Sequence, residues 1–515
     1  MNQQLYPKLE EIRTAAAFRD EEYRTVQQHA KGKFTARERI EKLLDPGSFT
    51  ETGMLVTHRA AGNGLEKSHS ATDGVVTGWG KVDGRLVYVY AQDFTVLGGS
   101  LGEAHGQKIA HLMDLAFQNR APIIGLNESV GERIQEGVAS LASYGEIFYR
   151  NTRSSGVIPQ LSVILGVCAG GAAYSPAIND FVFMLNQNAY MFTAGPEVVK
   201  AATHEEVDFE TLGGAWVHCK KSGVAHFTAS DEEALLNKLR WLLSYLPSNN
   251  LTPPPYQAPN DDPRRLTPEL EQIIPADAQQ PYDIHAVIEA IVDDSVFLEV
   301  QLDYAQNIVV GFARLDGYPV GVIANQPGYL AGVLDIHAST KGARFIRFCD
   351  AFHIPLLTLV DTPGFLPGIE QEHDGILRHG AKMFYAYAEA TVPKTAVILR
   401  KAYGEGYIVM SSKHLRSDFN LAFPQAEIAV MGTETAVNIV FRKEIGSAAD
   451  PAAVIEKHTR EYRYEFANPY RAAAHGYLDD VINPAETRVR LIAALESLRE
   501  KRHDTPPRNH GNIPL

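Results

Sequence analysis

The chain has 515 residues, of which 45% are apolar and 21% are charged, and its formal net charge is −14. At roughly 150 residues a domain, this length predicts two to four domains, and the composition is that of a globular protein with a large core. The negative charge argues against a nucleic acid bound through a broad basic surface. No apolar run reaches the ~20 residues of a membrane span. We therefore expect neither a nucleic acid nor a membrane as a partner.

Three cysteines, Cys168, Cys219 and Cys349, bear on the cellular compartment. They are too few for a disulfide framework and lack the spacing of a metal site, so no metal is expected in this chain. Residues 1–5 have neither the basic nor the apolar region of a signal peptide. Together these features predict a reducing, cytoplasmic location.

The first 45 residues are strongly charged and predict helices. Thr35 followed by Glu38 has the pattern of a capping box, and the turn-forming residues 45–48 end that helix. Residues 74–90 predict two strands joined by a tight turn at Asp83-Gly84.

Strands and helices alternate from about residue 100. Helices are predicted at 105–119 and 137–151, and buried strands at 122–126 and 161–165. This order is typical of an α/β fold built from βαβ units.

A pair of glycines, Gly170-Gly171, follows the strand at 161–165 and precedes a helix-like segment. Glycines at such a switch let a ligand approach the backbone, and N–H groups at the start of a helix collect partial positive charge. The turn can therefore hold an oxyanion. The alternative interpretation is tight packing of the strand against the helix.

The second half of the chain repeats the first. The landmark pairs, at an offset of 233 residues except for one at 234, are Gly78 with Gly311, Pro122 with Pro355, Gly131 with Gly364, Pro159 with Pro393 (234), and Tyr174 with Tyr407. Chance is a poor explanation for one offset held this far. We predict two copies of one α/β domain, at 1–250 and 278–515, joined by a proline-rich linker at 251–277.

Each predicted domain has two glycine-bearing turns after buried strands, at 128–133 and 169–172 and again at 361–368 and 404–406. Backbone N–H groups aimed at developing negative charge form an oxyanion hole, in which one donor is worth about 3 kcal/mol. Two domains predict two such holes, one for each of two substrates. No nucleophile elbow, Walker loop or zinc-protease motif occurs in the sequence.

Polar residues near these turns have two interpretations each. Asp361 is either a catalytic carboxylate or, in the more common role, a turn cap. Arg133 either contacts a ligand phosphate or forms a salt bridge. We interpret the scattered histidines as surface or packing residues; they are His373, His379 and His414.

These turns lie in motifs that resemble the carboxyltransferase (β) subunit of biotin-dependent acyl-CoA carboxylases, nearest the propionyl-CoA carboxylase type. The resemblance covers almost the whole chain. Its motifs are Gly32 to Arg39, Asp93-Phe94-Thr95-Val96-Leu97-Gly98-Gly99-Ser100, Arg133 to Gly137, Cys168-Ala169-Gly170-Gly171-Ala172, Asp361-Thr362-Pro363-Gly364-Phe365-Leu366-Pro367-Gly368, Arg378-His379-Gly380-Ala381-Lys382, Ala429 to Gly432 and Asn512 to Leu515.

The resemblance implies an α/β fold of two tandem crotonase-like domains, the first binding acyl-CoA and the second carboxybiotin. The expected donors to the thioester oxygen are Gly170, Gly171 and Ala172. The expected donors to the ureido oxygen of biotin are Gly404, Glu405 and Gly406. Further residues expected to bind substrate are Ser129, Val130, Gly131, Arg133, Tyr174, Gly364, Phe365, Tyr407 and Ile408.

The resemblance also implies the reaction and the partners. Carboxybiotin would release carbon dioxide, the ureido nitrogen would take the α-proton, and the enolate of a short-chain acyl-CoA (propionyl-CoA and/or acetyl-CoA) would capture the carbon dioxide. The sequence has no Met-Lys-Met biotinylation site and no ATP-binding loop. An α subunit with biotin carboxylase and biotin carrier domains is therefore implied, together with a homohexamer whose active sites lie at dimer interfaces.

Four residues depart from the family's usual motifs. Glu405 stands where glycine is common, and its carboxylate either points away or repels a developing anion. Ile408 occupies a position associated with acyl-chain choice, so strict propionyl specificity is not expected. In the turn at 128–133, Val130 would narrow the acyl-CoA site or Glu132 would change its charge.

Three other functions remain open. A biotin-dependent methylmalonyl-CoA-type decarboxylase would run the same half-reaction backward with a membrane partner. A non-catalytic scaffold or regulatory paralogue would be disabled by Glu405 and by the altered turn at 128–133. A crotonase-type hydratase fits less well, since the chain has two domain copies and only Glu128 and Glu132 as a carboxylate pair.

Overall fold

The structure is a computed structural model, and it describes residues 5–18, 21–60, 65, 70–503 and 505–514. The chain divides into two compact units, Met1–Pro253 and Pro254–Leu515. Of the motifs quoted above, the tail at 512–515 is described only to residue 514, and residues 1–4 of the N-terminus lie outside the described residues. No helix in the described part of the chain is long and apolar enough to cross a membrane.

The first unit is built on an eight-stranded sheet with the order β1-β2-β3-β4-β5-β6-β8, and β7 pairs with the end of β5. β1, β2 and β3 are antiparallel, and all later pairs are parallel. The strands are β1 (Thr50–Thr52), β2 (Val75–Val82), β3 (Arg85–Gln92), β4 (Ile123–Ser129), β5 (Gln160–Ala169), β6 (Phe181–Leu185), β7 (Tyr190–Phe192) and β8 (Phe227–Ala229).

The helices of the first unit include the crossovers between its parallel strands. They are α1 (Leu5–Phe18), α2 (Glu21–His29), α3 (Ala36–Leu43), α4 (Glu103–Gln118), α5 (Val138–Ser154), α6 (Gly171–Ile178), α7 (Pro196–Thr203), α8 (Phe209–Gly213), α9 (Ala215–Val217) and α10 (Glu232–Leu243). The capping box predicted for α3 is confirmed, because the Thr35 hydroxyl accepts the Glu38 N–H and the Glu38 carboxylate accepts the Thr35 N–H. The tight turn between β2 and β3 is also confirmed, with positive φ angles at Asp83 (49°) and Gly84 (77°).

The second unit repeats this architecture, with the sheet order β16-β14-β13-β12-β11-β10-β9 and with β15 paired to the end of β13. β9, β10 and β11 are antiparallel, and the remaining pairs are parallel. The strands are β9 (Leu298–Val300), β10 (Ile308–Leu315), β11 (Tyr318–Asn325), β12 (Leu356–Thr362), β13 (Lys394–Tyr403), β14 (Phe419–Ala422), β15 (Glu427–Ala429) and β16 (Asp480–Val481).

The helices of the second unit lie between Leu270 and Ser497. They are α11 (Leu270–Ile273), α12 (Ile284–Ile291), α13 (Ile336–Ala351), α14 (Ile369–His373), α15 (Ile376–Glu389), α16 (Gly404–Val409), α17 (Thr433–Val440), α18 (Arg442–Ser447), α19 (Pro451–Glu465), α20 (Pro469–Ala474) and α21 (Thr487–Ser497). The segment predicted as a linker contains α11, and Leu270 is fully buried in the core of the second unit. Part of that segment is therefore packed structure, because apolar residues lie between its prolines.

The internal repeat is confirmed by the matching strand order and by a shared irregularity. The register shifts between Asn127 and Ser129 where β4 pairs with β5, and between Val360 and Thr362 where β12 pairs with β13. β5 and β13 have equal lengths and are offset by 234 residues at both ends. The offset is still 234 in the turn that follows, where Gly170 and Gly404 have φ angles of 58° and 54°. At that offset Tyr174 corresponds to Ile408, which differs from the predicted match of Tyr174 with Tyr407.

A buried lysine holds the segment before the second strand of each sheet. Lys108 in α4 donates to the carbonyl oxygens of Thr72 (2.9 Å) and Val75. Lys341 in α13 donates to the carbonyl oxygens of Tyr304 and Ile308, both at 2.8 Å. Burial lowers the pKa of each lysine to about 8.

Candidate active site

The first glycine turn joins β5 to α6. β5 ends at Ala169, Gly170 has a φ of 58°, and α6 begins at Gly171, which confirms the predicted strand-to-helix switch. The N–H of Gly170 donates to the carbonyl oxygen of Phe192 in β7 at 3.1 Å. The prediction that Gly170 is a free donor is therefore wrong, because β7 pairs with the end of β5 and uses that N–H.

The next two N–H groups of this turn start α6. The Gly171 N–H donates to Oε1 of Glu132 at 3.0 Å. Ala172 lies in the first helical turn, where N–H groups have no acceptor within the helix. Cys168 lies beneath this turn and donates its thiol to the Ala172 carbonyl at 3.0 Å; burial raises the pKa of that thiol to about 12. The backbone donors that this turn can offer are thus Gly171 and Ala172.

A second turn, at 129–132, lies directly against the first. Gly131 has a φ of 100°, and a Cβ there would lie 2.7 Å from the carbonyl oxygen of Ala169, so glycine allows the two turns to touch. Ser129 is fully buried, and its Oγ accepts the Gly131 N–H at 3.1 Å. Val130 is 47% exposed. Ser129 therefore supports the turn from within, whereas Val130 faces outward.

The second unit brings its two glycine turns together in the same way. β13 ends at Tyr403, and α16 begins at Gly404, which has a φ of 54°. A Cβ at Gly406 would lie 2.9 Å from the Cα of Gly364. The Gly364 N–H donates to Oγ1 of Thr362 at 3.2 Å, as the Gly131 N–H donates to Ser129.

The residues around the second turn differ from those around the first. Glu405 is exposed, and the effect of its carboxylate on the turn stays a prediction. Phe365 follows Gly364 as Glu132 follows Gly131, and its ring stacks on Phe384 at a centroid distance of 6.0 Å. An aromatic ring therefore stands where the first unit has a carboxylate.

Buried ion pairs support the strand that precedes each turn. In the first unit, Glu128 accepts from Lys33 (2.9 Å) and Arg39 (2.7 Å), and Arg39 also forms two 2.8 Å hydrogen bonds with Glu232. Lys33 and Arg39 lie in the motif at 32–39 that resembles the family, so the sequence indicated that this segment matters. The pairing itself joins residues about 90 and 190 positions apart and was missed.

The corresponding acid of the second unit is Asp361, which is fully buried. Its carboxylate accepts from Nε of Arg400 at 3.0 Å and from the backbone N–H of Lys401 at 3.2 Å. Burial lowers the pKa of Lys401. The expected turn-cap role of Asp361 is wrong, since its partners lie on the neighbouring strand β13.

Arg133 is buried beside two carboxylates. Its guanidinium pairs with Asp73 at 2.7 Å and with Glu136 at 2.8 Å, and it donates to the Ser100 carbonyl at 2.7 Å. Burial raises the pKa of Asp73, although Arg133 opposes that effect. The salt-bridge interpretation of Arg133 is confirmed, and the expected contact with a substrate phosphate is wrong in this structure.

The aromatic and apolar residues expected near the turns are partly exposed. Tyr174 is 51% exposed and makes an edge-to-face contact with Phe148, whose ring stacks on Tyr144. The Tyr407 hydroxyl lies 3.4 Å from Nε2 of His414, and burial raises the pKa of Tyr407 to about 12. The role expected of His414, a packing residue, agrees with this contact.

The remaining side chains of that set also have defined surroundings. Ile408 is 36% exposed, at the position that corresponds to Tyr174. His373 is exposed at the end of α14, in accordance with a surface role. His379 lies 3.3 Å from Oγ1 of Thr340, and burial, together with nearby Lys382, lowers its pKa.

A hydrogen-bonded chain beside the second turn was missed by the sequence analysis. The Tyr403 hydroxyl donates to Oε2 of Glu427 at 2.6 Å, and Glu427 pairs with Arg463 of α19 at 2.8 Å. Burial and Glu427 raise the pKa of Tyr403, so the phenol stays protonated as a donor. No sequence signal links these residues, because their contact depends on the long excursion through α17–α19.

Comparison with known proteins bears on the meaning of these paired turns. A family model described as the carboxyl transferase domain matches residues 27–513. The chain belongs to the carboxyl transferase domain family. The match includes both glycine turns and both buried ion-pair groups of this family member.

Relatives within the carboxyl transferase family match over nearly their whole length. The carboxyltransferase subunit of propionyl-CoA carboxylase from Haloferax mediterranei is 57% identical over 508 residues, covering 99% of this chain and 98% of that protein. The methylmalonyl-CoA decarboxylase subunit alpha of Propionigenium modestum is 53% identical over 492 residues, covering 96% and 95%.

A solved structure also matches over the full length of this chain. It is the transcarboxylase 12S, described as a hexamer assembly with methylmalonyl-coenzyme A and methylmalonic acid bound, and it has a TM-score of 0.97 at 48% identity, with 100% of this chain and 99% of that chain covered. The predicted fold of two tandem crotonase-like domains is confirmed by this likeness.

Proposed function

We propose that this chain is the carboxyltransferase subunit of a biotin-dependent acyl-CoA carboxylase. It would transfer carbon dioxide from carboxybiotin to the α-carbon of a short-chain acyl-CoA, propionyl-CoA and/or acetyl-CoA. The observation that carries the proposal is the pair of glycine turns, one in each unit, within a chain that is 57% identical to a propionyl-CoA carboxylase carboxyltransferase subunit. The paired turns also favour a reaction with two oxyanions over a single-turn hydratase.

The first unit is the proposed site of the acyl-CoA. The donors for its thioester oxygen are the N–H groups of Gly171 and Ala172, because the Gly170 N–H is used by β7. Removing the α-proton moves negative charge onto that oxygen, and fixed N–H donors stabilise this charge without reorganising, at about 3 kcal/mol for each donor. Glu132 has to release the Gly171 N–H before the oxygen can bind.

The second unit is the proposed site of carboxybiotin, which a partner chain would carry. The residues fit a neutral ureido carbonyl oxygen at the start of α16, since Gly404 has a positive φ and Gly406 has no Cβ to separate the helix from Gly364. When bound, carboxybiotin supplies carbon dioxide and a basic ureido nitrogen. Glu405 is exposed, and the backbone N–H groups of this turn are the groups proposed to orient the ureido oxygen.

The proposed partners follow from the same function. An α subunit with biotin carboxylase and biotin carrier domains would deliver the carboxyl group, and the chain would assemble as a homohexamer, as the transcarboxylase 12S does. The proposed location is cytoplasmic, supported by three cysteines of which none forms a disulfide in the structure. No metal is proposed in this chain.

ATP-dependent fixation of labelled bicarbonate tests the proposal. The purified protein and a biotinylated α partner are incubated with acetyl-, propionyl- or butyryl-CoA, and label in the acyl-CoA is counted, with avidin-treated partner as the control. We expect incorporation that avidin abolishes, and the ranking of the three substrates tests the acyl-chain range expected from Ile408. Biotin-dependent decarboxylation without any incorporation would assign the decarboxylase function, and no turnover in either direction would assign a scaffold.

A further inference from the structure

Glu132 places a carboxylate on the first glycine turn. Its Oε1 accepts the Gly171 N–H at 3.0 Å, and a Cβ at Gly170 would lie only 2.8 Å from its Oε2. The two carboxylate oxygens therefore lie over successive residues of the turn, and glycine at both positions leaves room for them. An anion already occupies the N–H group to which an oxyanion of the reaction would bind.

The backbone of Glu132 is fixed, whereas its side chain is only half-buried. The residues on either side are bracketed by Leu101, which donates to the Gly131 carbonyl at 2.9 Å and accepts the Arg133 N–H at 3.0 Å. The carboxylate itself has a partner that a ligand can replace. Because the backbone is fixed and the hydrogen bond to Gly171 can be replaced, the Glu132 side chain can move by about one hydrogen-bond length while its Cα stays in place.

An aromatic wall lies beside this carboxylate. Tyr144 is 4% exposed, and its ring lies next to the Gly171 position, where a Cβ would be 2.7 Å from Cδ2. Its hydroxyl lacks a hydrogen-bond partner within the described residues. Burial raises the pKa of this phenol well above its usual value, and the nearby charge of Glu132 raises it further. Tyr144 therefore stays protonated and limits the water beside Glu132.

The second unit shows that the fold does not require this carboxylate. The residue that corresponds to Glu132 is Phe365, which stacks on Phe384, and the glutamate of the second turn, Glu405, is exposed. A carboxylate directed at the turn is thus confined to the unit that we propose binds acyl-CoA.

We propose that Glu132 is a proton-transfer residue that gives this chain a second activity, the exchange of acyl-CoA α-protons with solvent in the absence of biotin. The inference rests on the proposed function, since it needs an acyl-CoA thioester oxygen on the Gly171 N–H. The carbonyl oxygen and the α-carbon are bonded to the same carbon atom. A carboxylate displaced from Gly171 by that oxygen therefore lies within reach of the α-proton, as a general base requires.

The proposed step is balanced without any further reactant. The α-C–H bond breaks, its proton goes to the Glu132 carboxylate, and its electron pair forms the enolate double bond while the carbonyl pair moves to the oxygen held by Gly171 and Ala172. The carboxylic acid then exchanges its proton with solvent, and the reverse step returns a solvent hydrogen to the α-carbon. In D₂O this sequence places deuterium on the acyl-CoA.

The experiment measures deuterium at the α-carbon of propionyl-CoA by mass spectrometry after incubation with the full-length protein in D₂O, with no partner and no biotin. We expect exchange above the protein-free rate. Glu132→Gln keeps an oxygen that can accept the Gly171 N–H but is not a base, so the exchange should fall by about 100-fold or more. Glu146→Gln, which alters a 66% exposed carboxylate of α5, is the matched control and should exchange at the wild-type rate.

Two further readouts distinguish a chemical role from a structural one. Propionyl-CoA binding, measured by calorimetry, should survive in Glu132→Gln, and its melting temperature should stay near that of the wild type. Exchange that is unchanged in Glu132→Gln would overturn the inference.

Failure of the inference and failure of the proposed function give different results. If the protein binds propionyl-CoA and supports bicarbonate fixation with its partner but exchanges no α-proton, Glu132 is not a base and the proposed function stands. If it neither binds acyl-CoA nor supports fixation, the proposed function fails and the inference fails with it. A third result would overturn the inference in another way. If the wild type shows no exchange and Glu132→Ala binds propionyl-CoA more tightly than the wild type, Glu132 competes with the substrate oxygen for the Gly171 N–H and is not a base.

Discussion

Adding one methyl group at Gly406 would separate the two turns of the second unit. An alanine Cβ there lies 2.9 Å from the Cα of Gly364 and 3.0 Å from Cγ2 of Thr362, and the first of these atoms belongs to the backbone. Because no flexible side-chain end can give way to it, α16 and the Gly364 turn must move apart by several tenths of an ångström.

Two energy terms of opposite sign set the stability of Gly406→Ala. Alanine gains about 0.5–1 kcal/mol over glycine in a helix, and overpacking costs about 1–3 kcal/mol. We expect a net loss of about 1 kcal/mol, which leaves the protein folded. The effect on catalysis should be larger, since a displacement of about 1 Å in a positioning element costs up to about 10²-fold. Because the displacement here is several tenths of an ångström, we expect carboxyl transfer to fall by about 10-fold.

A matched glycine isolates the contact. Gly446 lies in α18 of the same unit, and a Cβ there would have nothing within 4 Å. Gly446→Ala should therefore show only the helix gain, with a slightly raised melting temperature and full activity. Both variants are compared by thermal unfolding, bicarbonate fixation and propionyl-CoA binding, which should be unchanged because the first unit is untouched. Wild-type fixation by Gly406→Ala would refute the reasoning that the spacing of the two turns matters.

Three further predictions concern stability, and chemical unfolding measures each of them. Arg39→Met leaves the Glu128 carboxylate buried without its shortest partner, so unfolding should become easier by about 3–5 kcal/mol. His285 pairs with Glu299, which raises the pKa of His285 from 6.5 to about 9. The pair therefore stabilises the fold fully below pH 6.5, and this stabilisation is lost as the pH rises through 9. Because 29% of the His285 side chain is exposed, we expect the stabilisation to be ~1–2 kcal/mol and to be absent from His285→Gln. Thr35→Ala removes a helix cap and should cost about 1 kcal/mol.

Each of these predictions has its own control and its own contrary result. An exposed cation on the same helix, Lys42→Met, controls for Arg39→Met, and equal stabilities of the two would contradict the buried-pair argument. Wild type and His285→Gln should lose different amounts of stability between pH 6 and pH 10, and parallel curves would exclude His285 as the cause. Thr35→Ser restores a hydroxyl cap, so a loss as large as that of Thr35→Ala would locate the effect elsewhere.

Local chemistry explains which parts of the fold the sequence could predict. The turn at Asp83-Gly84 and the capping box at Thr35 depend on residues within three or four positions, and both are present as expected. The repeat was visible because turns and strand starts need particular residue types at both copies. The short strand β7 was missed, and its pairing with β5 is what removes Gly170 from the predicted donors.

The candidate site was predicted only as far as its backbone. The two glycine turns lie where the sequence placed them, and their roles as donors stay predictions. The side chains were harder, because a charged residue near a turn can face a ligand or a buried partner. Arg133 and Asp361 both have buried partners from other elements, whereas Glu132 faces the turn itself. Only the packed structure distinguishes these cases.

The origin of the buried counter-charges has a consequence for dissecting the molecule. In the first unit Glu128 pairs with Arg39, which lies in α3, before the first strand of the sheet. In the second unit Asp361 pairs with Arg400, which lies within the sheet, in β13. A fragment that starts at β2 would lose Arg39 and strand a carboxylate in its interior. We expect a separately expressed first half to fold only if it retains residues from about 30 onward. The second half should tolerate trimming at its N-terminus only as far as α11, because Leu270 of that helix is buried in its core.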